Sequence, residues 1–231
     1  SYVFDSNVGW DAETNRDSDY QSWMFKRHAG FDVVAYKGSS EIQTISHSLN
    51  KTPEMVVIKN RSDNDKFWAV THKDLNGGSN SHQFYLKLNG ADVEAENGNY
   101  FKYAPTSTHF SAGQISTTNA SGKDYIAMLF ASVDGISKVG YHTGTGSART
   151  ITTGFQPRFL LIKNITTARN WYIVDTTRGW ASGDDKYLSF NDSDAQDDFD
   201  FGAPTSTGFT LPGGDTAYNA SGDNYIYYAH A

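Results

Sequence analysis

The chain has no cysteine among its 231 residues, which excludes disulfides, thiolate chemistry and cysteine-based zinc sites. It has no apolar run of the roughly 18 residues that a spanning helix needs, so no membrane insertion is expected. No secretory-signal pattern opens it. Basic residues are in deficit, 19 Lys and Arg against 26 Asp and Glu for a net charge of −7, which argues against nonspecific binding to nucleic acid or anionic lipid. No stretch of a dozen residues spaces its apolar positions by three and four, and little helix is expected.

What the sequence does contain is short runs rich in Val, Ile, Tyr, Trp and Phe, bounded by Gly, Asn, Ser and Asp: MVVIK, FWAVTH, RFLLIK, WYIVDT, YIAMLF and YIYYA. These are strand patterns. VVIK and LLIK are apolar on both alternations, which predicts strands covered on both faces. The expected fold is all-β, built of tandem β-sandwich or jelly-roll-like modules of about 100 residues each. A Cys-free, Tyr- and Phe-rich chain of this kind fits an extracellular bacterial or viral protein made in a reducing cytosol.

The modules are visible as a duplication. NASGKDYIAMLFA at Asn119 returns 100 residues later as NASGDNYIYYAHA at Asn219. Upstream, in the same order, APTSTHF faces APTSTGF, VVIKN faces LLIKN, FWAVTH faces NWYIVDT, FYLKL faces KYLSF, and FDVVAYKG faces ISKVGYHTG. A spacing near 100 residues exceeds that of solenoid repeats, so residues 31–134 and 135–231 read as two units, each expected to have its own core. TNRDSDYQSWMF around Tyr20 reads against TNASGKDYIAMLF. Residues 1–27 are therefore taken as the C-terminal end of a preceding, truncated unit, part of a longer native polypeptide. Its strand YQSWMF is expected to need cover for Trp23 and Phe25 from an upstream domain or another chain.

NASG is a turn, since Asn and Gly tolerate positive φ. In APTST, Pro105 and Pro204 fix φ and the hydroxyls satisfy local amides before Phe110 or Phe209 turns inward. Asn60, Asn119, Asn164, Asn191 and Asn219 also satisfy N-x-S/T, a glycan-acceptor pattern in secreted eukaryotic proteins. Four of the five, all but Asn191, fall at equivalent places in the two units, which favours the turn reading.

Catalytic patterns are weak. The acidic stretch DDKYLSFNDSDAQDDFDF from Asp184 has no counterpart in the first unit, where HQFYLKLNGADVEAENGNYFKYA stands, so it reads first as a solvated loop, second as a calcium site through Asp oxygens, and last as a carboxylate pair. It lacks a D-x-D-x-D-G loop. The seven histidines, at 28, 47, 72, 82, 109, 142 and 230, show no ligand spacing, and His72 faces Asp175 in the other copy, a swap that argues for a structural role. Trp68 and Trp171 occupy equivalent strand positions and read as core. Trp180 follows Arg178 and Gly179 in a loop that the first unit replaces with NGGSN. The expected ligand-binding residues are accordingly Trp180, Asp184, Asp185, Asp197 and Asp198, with Asp200 beside them and Gly77, Gly78, His82 and Glu96 in the corresponding region of the first unit. No catalytic residue, metal ligand or cofactor is expected.

The order of the DVVAY strand, the PxxVVIKN strand, the WYIVDTTRG strand, APTST followed by Phe, and NASGxxYI resembles a repeated β-domain of tailed, especially marine, bacteriophages, found in tail fibre and tail-associated proteins. The resemblance covers nearly the whole chain. It implies a virion surface component with structural and host-recognition roles, other virion proteins and a host-surface glycan as partners, and a homo-oligomer, a trimer by default for a tail fibre. A secreted bacterial carbohydrate-binding or adhesin module is the alternative reading, and a glycan depolymerase a third.

Overall fold

The apolar runs form strands, and nearly all the regular structure in the computed structural model, which describes residues 22–27 and 29–231, is antiparallel β. The first repeat contains β1 (Phe31–Lys37), β2 (Gln43–Ser46), β3 (Met55–Asn60), β4 (Ala69–His72), β5 (Phe84–Lys87), β6 (Ala95–Glu96), β7 (His109–Ala112) and β8 (Asp124–Phe130). The second contains β9 (Ser137–Thr143), β10 (Arg149–Thr152), β11 (Phe159–Asn164), β12 (Trp171–Asp175), β13 (Asp185–Ser189), β14 (Asp197–Phe199), β15 (Pro204–Thr205), β16 (Gly208–Leu211) and β17 (Asn224–His230). The large sheets run β1-β8-β3-β4-β5-β6 and β9-β17-β11-β12-β13-β14. Position by position, the two orders are the same. The small sheets are β2-β7 and β10-β16-β15.

Alternation along the strands builds four layers. Val56, Ile58, Tyr125, Ala127 and Leu129 turn outward to meet Phe110 and Ile45 of the small sheet β2-β7. Leu160, Ile162, Val174, Tyr227 and Ala229 meet Ile151, Phe209 and Leu211 in the same way. The other faces pack on each other: Met55, Val57, Val70, Leu86 and Phe130 of the first repeat share one cluster with Val139, Leu161, Trp171, Ile173, Ile226 and Tyr228 of the second. VVIK and LLIK are indeed covered on both sides. Each repeat has its own core, as expected, and a third core, which the sequence did not announce, is shared between them.

Polar bonds cross that shared layer. The Trp171 indole donates to the Lys87 carbonyl at 2.9 Å, and the Glu94 amide donates to the Ile165 carbonyl at 3.4 Å. Lys163 is fully buried, donating to the carbonyls of Asn164 at 2.6 Å and Ala91 at 3.2 Å; burial pulls its ammonium down to about 8. The connection between repeats is a tight turn at Gly135 (φ +73°), closed by the Val133–Ser137 bridge.

Residues 22–26 form no strand, and the cover for their aromatic rings comes from the chain itself. Trp23 and Phe25 point inward while Met24 is exposed. Trp23 packs edge-on against Phe159, and Phe25 contacts Phe31, Phe130, Phe159 and Tyr228. The mouth of the shared apolar layer lies between the two sheets, and this strap lies across it. Tyr20 and His28, with the rest of the opening partial copy, fall outside the described residues.

The duplicated motifs are scaffold. Asn119 is wholly buried; its oxygen accepts from the Ser39 amide and Gln43 Nε2, and its nitrogen donates to the carbonyls of Glu41 and Gly113. Asn219 binds Thr145, Ser147 and Pro212 in the same manner. Each ties the first connection of its repeat to the segment before the last strand. Tyr125 Oη accepts from the Ala120 amide and Asn60 Nδ2 and donates to the Ser116 carbonyl. Tyr225 repeats this with Ala220, Asn164 and Thr216. The Nδ2 atoms a glycan would need are thus buried and bonded at Asn60, Asn119, Asn164 and Asn219. Replacing Asn219 by Ala is expected to cost about 2 kcal/mol, since several polar groups lose partners at once, with a similar loss for Asn119→Ala. Urea denaturation checks this, and a loss below about 0.5 kcal/mol at both positions, the level of an ordinary surface substitution, contradicts it.

Candidate functional site

The residues singled out in the acidic loop do not converge. Trp180 is only 2% exposed and belongs to the inner core of the second repeat, 6.1 Å from Phe209. Its placement as a surface ring is corrected by the loop geometry: Arg178 Nε pairs with Asp175 Oδ2 at 2.6 Å, the Trp180 amide donates to the Asp175 carbonyl, and Gly179 at φ +104° turns the chain so that the indole points inward. Asp185 is corrected likewise. It is buried, accepting from the amides of Ala181 at 2.8 Å and Phe201 at 3.0 Å, and burial pushes its carboxyl up to about 6. A carboxylate so placed organises its own loop.

Asp184, Asp197 and Asp198 do lie on the surface. Asp197 and Asp198 belong to β14, the outermost strand of its sheet, where Asp198 pairs with Lys186 at 2.7 Å. Charges on an edge strand discourage pairing with another chain, which gives the acidic run a physical account without a ligand. Among the described residues no three His, Asp or Glu side chains are grouped to hold a metal.

His72 is buried at the repeat junction. Its Nδ1 accepts from the Asp74 amide at 3.2 Å, and burial drives its imidazole down to about 3.

A different place gathers polar groups. At the free edge of the second large sheet, β9 faces β10 across a groove of about 440 Å³, with Lys73 and Asp74 of the first repeat at one side. Lys138, His142, Arg149 and Tyr227 complete its functional lining. Lys73 is engaged by Glu54 at 2.7 Å, and Arg149 Nη1 donates to the Thr143 carbonyl at 2.6 Å. The Lys138 ammonium and the Tyr227 hydroxyl make no hydrogen bond to the described residues. Burial pushes the Tyr227 phenol up to about 12, with the Asp74 charge adding to it. Gly140 permits this arrangement: a Cβ there would collide with the ring and hydroxyl of Tyr227.

His142 is the most informative wall residue. Its ring stacks on Tyr225 with centroids 4.9 Å apart. Since a carbonyl only accepts, the 2.8 Å contact to the Tyr218 carbonyl makes Nε2 the protonated nitrogen. Nδ1 is then a lone-pair acceptor, and it has no partner in a residue only 4% exposed. Burial lowers this imidazole to about 4, so it is neutral at physiological pH.

Comparing the copies along β1–β2 and β9–β10, instead of within the acidic loop, is the sequence signal that could have found the groove. Registers on Tyr125 and Tyr225 equate Asp32 with Lys138, Val34 with Gly140, Tyr36 with His142 and Ala127 with Tyr227; those on Phe110 and Phe209 equate Gln43 with Arg149. No curated protein and no solved structure matches the chain. A family model described as Domain of unknown function (DUF7483) matches residues 9–231. That single match runs through both repeats and the shared layer between them, and the chain belongs to this DUF7483 family.

Proposed function

We propose that the protein is a non-enzymatic structural and host-recognition module of a virion surface, such as a tail fibre, acting as a homo-oligomer, with a trimer the default by resemblance. The observation that carries this reading is the third core: two copies of one sandwich are fused face to face, so surface features on both are held at fixed separation. A rigid scaffold with variable surface segments suits recognition. The motifs shared by the copies are spent on that scaffold, through Asn119, Asn219, Tyr125 and Tyr225, and the buried carboxylates Asp175 and Asp185 are engaged by an arginine and by backbone amides. The collinear motif resemblance to phage tail modules supplies the virion context. A groove with free donors and acceptors also suits the bacterial carbohydrate-binding alternative, and the two readings differ in where the protein resides.

The test is density-gradient purification of particles from cells that express the gene, followed by peptide mass spectrometry. The chain is expected to co-purify with particles in stoichiometric amount. Its recovery only from the particle-free supernatant contradicts the virion assignment and favours the secreted module.

A further inference from the structure

We infer that the groove between β9 and β10 is a binding site for an anionic saccharide, a hydroxylated ring carrying a carboxylate or sulfate. This deepens the recognition reading above and rests on it for its biological setting. The chemistry of the walls argues for it. Lys73, Lys138 and Arg149 face the groove, opposed by Asp74 and by the Glu54 that pairs with Lys73 at 2.7 Å, which leaves one cation in excess on a chain whose net charge is −7. A local excess of cations on an acidic protein selects an anionic group. Lys138 is uncommitted, and the arginine presents a planar fork suited to a carboxylate or sulfate.

The remaining groups ask for hydroxyls. Nδ1 of His142 is an acceptor with no donor but is closed to solvent, so the open acceptor is Asp74, and the Tyr227 hydroxyl, Thr150 and Thr152 can either donate or accept. A simple inorganic anion would leave the Asp74 acceptor unpaired; a sugar ring supplies a donor. The volume falls within the range of small-ligand pockets, which run from about 300 Å³ upward.

The internal comparison makes the case specific to the second copy. In the first repeat Asp32, at the place of Lys138, is itself buried, neutralised by Arg27 at 2.6 Å and hydrogen-bonded by the amide and hydroxyl of Ser48. Val34 and Ala127 replace the Gly140 and Tyr227 pair. Tyr36 keeps the stacking on Tyr125, with centroids 5.1 Å apart, and directs its hydroxyl to the Thr118 carbonyl at 2.6 Å, as His142 directs Nε2 to Tyr218. The scaffold contact is therefore conserved between copies while the imidazole adds a spare acceptor. Glycine, lysine, arginine and histidine together turn a scaffold edge into a receptive groove.

The experiment is titration of the intact protein, followed by amide chemical shifts, with a galacturonate tetrasaccharide, a sulfated galactan tetrasaccharide, the carboxyl-reduced neutral tetrasaccharide, and sodium sulfate alone. One anionic tetrasaccharide at least is expected to bind tenfold or more tightly than the neutral one, with shifts centred on residues 138–142 and 149–152; which one identifies the acidic group. Arg149→Gln, which installs the residue of the first repeat, and Lys138→Gln are each expected to weaken binding tenfold or more while leaving the remaining spectrum intact. The site is overturned if neither anionic sugar binds, if the shifts map elsewhere, if sulfate alone binds as tightly as the sugars, or if both variants bind as the parent does. Saccharide binding by a protein absent from particles would remove the virion reading and leave the site; particle incorporation without saccharide binding would do the reverse.

Discussion

Replacing Trp171 by Ala is expected to destabilise both repeats together, by about 3–5 kcal/mol, the usual cost of deleting a fully packed aromatic side chain. The residue sits on β12 of the second repeat, yet it is 1% exposed within the layer shared by both sheets, and its indole donates to Lys87 of the first repeat. Truncation opens a cavity between the sheets and removes the shorter of two bonds to that carbonyl, the Gly90 amide at 3.2 Å remaining. The loss should appear equally in signals from β3 and β8 and in those from β11 and β17. Denaturant unfolding followed at resolved amides reads it. A fall confined to the second repeat would mean that the interface contributes little to the first.

Acidification is expected to weaken the fold well before ordinary carboxylates titrate. His72 and His142 have imidazoles lowered by burial from 6.5 to about 3 and about 4. Lys73 lowers His72 further while Glu54 raises it, and Arg149 lowers His142 while the Tyr218 carbonyl raises it. Because the folded-state values lie below the unfolded ones, the stabilisation is fully present above pH 6.5 and is lost as pH falls towards the folded values. Two such groups forfeit about 5 kcal/mol between pH 6.5 and 4.5, at about 1.4 kcal/mol per group and pH unit. Asp185 acts in the opposite sense, since its folded value of about 6 exceeds the ordinary 3.8; it returns about 2 kcal/mol over the same interval. These three groups together contribute a loss of about 3 kcal/mol in urea titrations across this range. Stability that stays flat from pH 6.5 to 4.5 contradicts the buried neutral state of the histidines.

Much of the scaffold was legible because repetition makes equivalent residues visible. NASG and the tyrosine that follows it stood out as a duplicated turn, and the bonds of Asn119 and Asn219 explain why asparagine is required there. VVIK and LLIK announced strands with two covered faces. Nothing in either run said what covers the second face, because Met55 and Val57 look the same packed on a small sheet, on an upstream domain or on the other repeat. The same ambiguity misplaced Trp23 and Phe25, which the sequence left seeking a partner and which their own chain covers.

The acidic loop misled for a related reason. An isolated tryptophan among Ser, Gly and Asp reads as exposed, but the Asp175–Arg178 pair and the left-handed Gly179 reverse the chain and bury Trp180. Asp185 is likewise a loop organiser whose neighbours in sequence are solvated. The groove escaped because its residues are scattered over Lys73, Lys138, His142, Arg149 and Tyr227, and the duplicated runs that hold Lys138, His142 and Tyr227 draw attention to what the copies share. Its trace lay in strand positions where the copies disagree, Asp32 against Lys138, Val34 against Gly140 and Gln43 against Arg149.

The fusion of two sandwiches through a common layer underlies the rigidity on which the recognition reading depends. Native-state hydrogen exchange in increasing denaturant tests it most directly, with amides of β3 and β8 read against those of β11 and β17. One cooperative body loses protection in both sheets at the same denaturant concentration. Persistent protection in one sheet after the other has opened would show two independent domains and contradict the shared core.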